Sequence, residues 1–152
     1  IAAWARDNGK TLYDLLMDIY AEYGFSKEVT INVVKPGKSG ADEIKQMMVD
    51  FRNNPPTELG GSKICLWKDY QTLEAKYADG RVEKINMPTT SNVLQWFCED
   101  GTKVSVRPSG TEPKIKFYTE VKDPTFKCAD CYERCTKAAE EKIAAIKKSL
   151  NL

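Results

Sequence analysis

The run Arg107-Pro108-Ser109-Gly110-Thr111-Glu112-Pro113 gathers groups suited to holding a phosphate into one short loop. Arg107 offers a planar fork that can pair two phosphate oxygens at once. Ser109 and Thr111 add hydroxyl donors, and Gly110 lets backbone N–H groups approach an anion without a Cβ in the way. Pro108 and Pro113 limit how far the loop can wander. The same Pro-Ser-Gly sequence also suits an ordinary β-turn, so local chemistry leaves both readings open.

Other candidate chemistry is weaker. Lys35-Pro36-Gly37-Lys38-Ser39 ends like a nucleotide-binding P-loop, but Asn32 stands where that motif needs its first glycine. A polar turn leading into a helix explains it better. The carboxylates are scattered, and no pair has a spacing that argues for acid–base work. Asp42 and Glu43 instead open a helix, where the dipole favours negative charge. Histidine is absent, which removes the commonest general base and the commonest zinc ligand.

Five cysteines occur, and an odd count at irregular spacing does not suggest a secreted disulfide framework. Cys128 and Cys131 form a C-x-x-C pair, with Cys135 four residues on. A zinc site would need a fourth thiolate from distant Cys65 or Cys98. The preferred reading places Cys128, Cys131, Cys135, Ala138, Ala139, Ile143, Ile146 and Leu150 on one apolar helix face. Free thiols suit a reducing cytoplasmic setting.

Charged residues make up 30% and apolar residues 41% of the 152, the balance of a soluble globular protein. With a net charge of +1 there is no global field to attract nucleic acid or an anionic membrane, so any bound anion must be held locally. No apolar run approaches the ~20 residues that span a bilayer. The expectation is no membrane and no nucleic-acid partner. The absence of an initiator Met leaves room for a leader removed earlier.

The elements that must position the loop follow from periodicity. A helix capped by Thr11 and Asp14 carries Leu12, Leu15, Leu16, Ile19, Tyr20 and Tyr23 as an apolar stripe, and Gly24 stops it. The chain starts as if inside a helix, which suggests a piece of a longer protein. A strand at Val29–Val34 is followed by a helix from Ala41 to Arg52, with Ile44, Met47, Met48 and Phe51 inward. Strands follow at Ser62–Trp67, at Thr72–Tyr77 and Arg81–Ile85 around Asp79-Gly80, at Val93–Cys98, at Lys103–Arg107 and at Lys114–Val121. A last helix runs from Ala129 to Leu150, with Lys142, Lys147 and Lys148 on a solvated face. Trp67, Trp96 and Phe117 read as packing residues.

Alternation places Val104, Val106, Ile115 and Phe117 inward and Lys103, Ser105, Arg107, Lys114, Lys116 and Tyr118 outward. If the two strands pair across the loop, Lys116 stands beside Arg107 as a second cation. The fold expected is α+β, an antiparallel sheet with helices packed on one face.

The run Arg107 to Tyr118, RPSGTEPKIKFY, resembles the phosphate-binding loop of the α-D-phosphohexomutases, the family of phosphoglucomutases and phosphomannomutases. Asn53 to Gly61 (NNPPTELGG) and Ser91-Asn92-Val93-Leu94 are also similar to that family's C-terminal region. The resemblance implies a β-α-β(4)-α domain like the TATA-box-binding protein over residues 25–152, with residues 1–24 as the helical tail of a preceding domain. It places Arg107, Ser109, Gly110 and Thr111 where the family clamps the non-reacting phosphate of its substrate, with Lys116 in support.

By the same resemblance, the serine nucleophile, the aspartates that hold Mg²⁺ and the sugar-recognition loop belong to other domains. This chain would then hold no cofactor and catalyse nothing alone. Its partners would be a phosphosugar and the remaining domains, and it would swing about Gly24–Lys27. The parent would interconvert hexose 1- and 6-phosphates through a bisphosphate. A non-catalytic module that binds nucleic acid or protein on its sheet is the alternative.

Overall fold

The computed structural model describes residues 1–37 and 39–152. Lys38, within the Lys35–Ser39 motif considered above, lies outside the described residues. Two helices, α1 (Ala2–Asp7) and α2 (Leu12–Tyr23), precede strand β1 (Phe25–Val34) and helix α3 (Gly40–Asn53). Seven strands follow: β2 (Glu58–Leu59), β3 (Ser62–Asp69), β4 (Glu74–Tyr77), β5 (Val82–Lys84), β6 (Leu94–Cys98), β7 (Lys103–Pro108) and β8 (Lys114–Asp123). A 3₁₀ turn (Ala129–Cys131) then leads into α4 (Tyr132–Ser149).

The strands form one antiparallel sheet in the order β1-β8-β7-β6-β3-β4-β5, with β2 paired to β3 off that path. Helices α3 and α4 cover one face, as the α+β reading expects. Between those helices the chain has more than four strands, because the short β2 and the β4–β5 hairpin are added to the β3-β6-β7-β8 core. The hairpin turns at Asp79-Gly80 and extends the sheet at its edge.

Alternation sorts the central strands as the sequence requires. Val104, Val106, Ile115 and Phe117 are fully buried against Ile44 and Met48 of α3 and Ala139, Ile143 and Ile146 of α4. Burying such side chains contributes about 1.5–3 kcal/mol each, so these two strands are anchored from beneath. Trp96 is buried under Phe51, whose ring meets it edge-on at 5.2 Å, and Trp67 donates its indole N–H to the Pro56 carbonyl at 2.8 Å. Arg52 at the end of α3 pairs with Asp69 of β3 at 3.0 Å and also donates to Asn92 at 2.6 Å.

The apolar stripe of α2 is mostly exposed: Leu15 and Tyr20 are half-buried, Met17 beside them is buried, and Leu12, Leu16, Ile19 and Tyr23 face outward. The helix rests on a narrow aromatic seam, where Tyr20 lies 5.0 Å from Phe25 and 5.6 Å from Phe126. In the last helix the buried stripe is Cys135, Ala139, Ile143, Ile146 and Leu150; Ala138 and Cys128 are exposed. Cys128 stands in extended backbone before the 3₁₀ turn, so it cannot share the helix face. Lys142 belongs to no solvated face either. It reaches across to Asp100 in the β6–β7 turn and donates to Ser62 of β3 at 2.6 Å.

At the Gly24–Lys27 segment, Phe25, Ser26 and Lys27 pair with Asp123, Lys122 and Val121 in the ladder, and Gly24, at φ 90°, ends α2 with its N–H donated to the Tyr20 carbonyl at 2.9 Å.

Two predictions follow from this packing. An added Cβ on Gly40 would lie 1.8 Å from the Lys35 carbonyl oxygen, because α3 starts hard against the end of β1. Gly40→Ala should therefore destabilise the fold by roughly 1–3 kcal/mol in urea unfolding; an unchanged midpoint would refute that packing. Asp100 supplies the second test. Burial alone would raise its carboxyl, but hydrogen bonds from Lys142, Ser62 and Thr102 outweigh that and hold it well below the usual range. Its stabilising contribution is full above the unfolded value near pH 4 and is lost as pH falls toward the depressed folded value. Asp100→Asn should cost about 1 kcal/mol at pH 7, after allowance for partial exposure, and nothing in strong acid. An equal offset at every pH would contradict this.

Candidate functional site

The β7–β8 register sets the geometry. Arg107 lies directly opposite Lys116, one step beyond the buried pair Val106 and Phe117. Opposed residues in an antiparallel pair hold their Cβ atoms about 4.5–5.5 Å apart on one face. Two cations so placed repel each other unless an anion joins them. Among the described residues, no carboxylate pairs with either Arg107 or Lys116. Lys114, by contrast, is taken by Glu112 within the same loop. That contact holds the Glu112 carboxyl below its ordinary range, with the charge of Lys116 a lesser influence.

The loop between the strands is closed by its own backbone. The Ser109 N–H donates to the Lys114 carbonyl at 2.8 Å, and the Lys114 N–H donates to Glu112 at 2.7 Å. A third bond, from the Lys35 N–H to the Pro113 carbonyl at 2.9 Å, ties the loop to the end of β1. The Thr111 N–H points to Ser109 Oγ at 3.4 Å. Not every backbone N–H near Gly110 is available to an anion. The Ser109 amide is not, because it holds the loop shut. What remains open are the Gly110 amide, the Ser109 and Thr111 hydroxyls and the two cationic side chains.

Gly110 is required neither by backbone conformation nor by packing. Its φ lies outside the left-handed region, so the turn conformation does not demand glycine. An added Cβ would meet nothing within 4 Å, so packing does not demand it either. The missing side chain leaves space above the loop unfilled.

Arg107, Ser109, Gly110, Thr111 and Lys116 all line one concavity of about 360 Å³, together with Tyr118 and Glu112. Every residue singled out from the sequence is thus brought to one place. Arg107, Gly110 and Thr111 are exposed, whereas Ser109 and Lys116 are half-buried. Tyr118, which alternation already placed outward beside Lys116, was not given a role in the site. Glu112 neutralises Lys114, and no sequence signal marks which lysine it selects.

A second concavity of about 490 Å³ lies behind the loop, between Pro108–Pro113 and Gly37, Ala41 and Ile44, with Asn92 at its side. The loop is therefore open on both sides and held by its two strands. Gly37, from the motif set aside as a nucleotide site, forms part of this wall. No helix among the described residues is long and apolar enough to cross a membrane.

Comparison with known proteins gives the family. The phosphoglucomutase of Staphylococcus aureus (strain USA300) is 40% identical over 119 residues, 78% of this chain and 21% of its own length. The phosphoglucomutase of Staphylococcus haemolyticus is 33% identical over 121 residues, 80% of this chain and 22% of its own. The chain therefore spans about a fifth of the length of these curated relatives. A looser likeness links it to the open-form crystal structure of pp63/parafusin, a phosphoglucomutase from Paramecium. That match has 16% identity and a TM-score of 0.45, covering 91% of this chain and 23% of the other. The family model described as phosphoglucomutase/phosphomannomutase, C-terminal domain, matches residues 31–138, a stretch that runs from β1 into α4 and includes the whole loop. With its diagnostic loop inside that match, the chain belongs to the phosphoglucomutase/phosphomannomutase family as a C-terminal domain.

Proposed function

We propose that this chain clamps the non-reacting phosphate of a phosphosugar on behalf of a larger phosphohexomutase. The observation that carries the reading is the pair Arg107 and Lys116, set side by side without a carboxylate partner, next to the open Gly110. A phosphate fits that arrangement chemically. The guanidinium fork can take two oxygens, the Lys116 ammonium a third, and the Ser109 and Thr111 hydroxyls complete the ring of donors.

The parent enzyme would interconvert hexose 1-phosphate and hexose 6-phosphate through a bisphosphate. Phosphoryl transfer depends mainly on positioning and on charge stabilisation. Holding the remote phosphate lets binding energy orient the sugar hydroxyl toward the reacting group. The bisphosphate must turn around between half-reactions, so the clamp has to accept a phosphate from either end of the sugar. A site built from cations and hydroxyls meets that need, because it recognises the phosphate and not the sugar.

Among the described residues, no three His, Cys, Asp or Glu side chains cluster so as to hold a metal ion. The donors here do not fit the Mg²⁺ of the parent, which on this reading belongs to another domain, as does the serine nucleophile. Residues 1–24 would be the tail of the preceding domain. The exposed Leu12, Leu16, Ile19 and Tyr23 are then the side chains that its core would cover. The chain would swing at Gly24 as the cleft closes.

A sheet-face module for nucleic acid is less well supported. The open face carries Glu28 and Glu120, and Glu120 already holds Lys103 and Lys122. Such a face offers no continuous basic track along a phosphate backbone.

Arg107→Ala in the whole enzyme should raise KM and lower kcat, since the clamp both holds and orients. We expect kcat/KM to fall on the order of tenfold to a hundredfold, the loss of one or two charge-assisted hydrogen bonds. Lys116→Ala should act in the same direction with a smaller effect. Steady-state kinetics with kcat/KM unchanged in Arg107→Ala would refute the proposal.

A further inference from the structure

Cys128 and Cys131 take no part in the phosphate site, and their geometry differs from that of the other three cysteines. Cys128 is exposed, in extended backbone at φ −161° and ψ 170°. The Cys131 N–H donates to the Cys128 carbonyl at 3.0 Å, which folds the C-x-x-C segment back on itself. A turn closed in this way holds its end Cα atoms less than about 7 Å apart, within reach of a disulfide. The two Sγ atoms lie 3.8 Å apart, both as free thiols.

The chemistry around the pair favours a thiolate. Backbone hydrogen bonds at Lys127 and Cys128 draw the Cys131 thiol below its ordinary range, the Cys128 and Arg134 side chains assist, and burial opposes them only in part. The buried cysteines behave in the opposite way. Burial pushes Cys98 up to about 12 and also raises Cys135, which Asp123 raises further. Cys65 is half-buried and donates its thiol to the Phe97 carbonyl at 3.4 Å. Thiol reactivity tracks thiolate character and access, so both are concentrated at one pair.

We propose that Cys128 and Cys131 form a dithiol that exchanges with low-molecular-weight disulfides of the glutathione class and closes reversibly into an internal disulfide. In the first step the exposed Cys128, its proton passed to the neighbouring Cys131 sulfur, attacks one sulfur of the disulfide RSSR. A Cys128–SR bond forms, the RS–SR bond breaks and one RS⁻ leaves. In the second step the Cys131 thiolate attacks Cys128 Sγ, forming the Cys128–Cys131 bond and expelling the second RS⁻. Two protein thiols are oxidised, one disulfide is reduced, and the two protons end on two RSH. Excess RSH reverses both steps.

The pair lies beyond the far end of β8 from the phosphate loop. That ten-residue strand puts them roughly 30 Å apart, so the exchange is separate from the clamp.

The chain should be equilibrated in glutathione buffers of graded oxidised-to-reduced ratio, quenched in acid, alkylated and digested with trypsin. Cleavage after Lys127 and Arg134 yields a peptide that contains Cys128 and Cys131 but excludes Cys135. As the buffer becomes oxidising, that peptide should lose two hydrogens and escape alkylation, while Cys98 and Cys135 stay alkylated under denaturing quench. Cys131→Ser should stop at a mixed disulfide on Cys128. Cys128→Ser should slow consumption of oxidised glutathione at least tenfold. The proposal is overturned if both thiols alkylate across the whole range. It is equally overturned if the unmodified sequence accumulates glutathionylated Cys128 without the internal bond, or if Cys135 is the partner found.

Discussion

Two positive charges held side by side against their mutual repulsion define this domain. Arg107 and Lys116 face each other across β7 and β8 because the pairing of those strands is fixed from below, by Val106, Phe117 and Ile115 in the core. A shift of one residue would drive those apolar side chains into solvent and the two cations into the core. The cost of that slip is many times the cost of leaving the cations unpaired. Packing on the helix face thus stores an electrostatic demand on the open face, one that a bound anion would satisfy.

The rest of the architecture serves that register. Helices α3 and α4 supply the apolar layer on which β7 and β8 lie. The Lys142, Asp100 and Ser62 contact pins α4 to the β6–β7 turn at the other end of β7. The close start of α3 at Gly40 and the bond from Lys35 to Pro113 brace the loop from the β1 side. The loop itself therefore needs little internal structure. Its closing bonds use the Ser109 and Lys114 amides and leave the Gly110 amide, the two hydroxyls, Arg107 and Lys116 facing the concavity.

Much of this was legible in the sequence, and the reasons for the gaps are specific. Period-two alternation identified the inward and outward residues of β7 and β8 correctly, because both strands have a buried face and a solvated one. The composition of the loop named Arg107, Ser109, Gly110 and Thr111, and alternation along β8 added Lys116; all five line the concavity. The exposure of the α2 stripe was beyond reading, because helical periodicity shows that a face is apolar and not what covers it. Cys128 was misassigned for a related reason: spacing of three and four residues continues past the point where the backbone leaves the helix. Lys142 was unreadable, since its partner Asp100 comes from a distant turn that only the tertiary fold brings near. The engagement of the Ser109 amide depends on which way the loop closes, which residue types do not record.

The central claim is that the paired cations and the open loop await a phosphate. The direct measurement is an NMR titration of this chain with glucose 1,6-bisphosphate, following backbone amides and the Arg107 side chain. The account predicts saturable shifts centred on Ser109–Thr111, Arg107 and Lys116, with a Kd on the order of millimolar because one phosphate supplies few contacts. Shifts that bypass this loop, or that spread over the open sheet face while Arg107 stays unmoved, would contradict it.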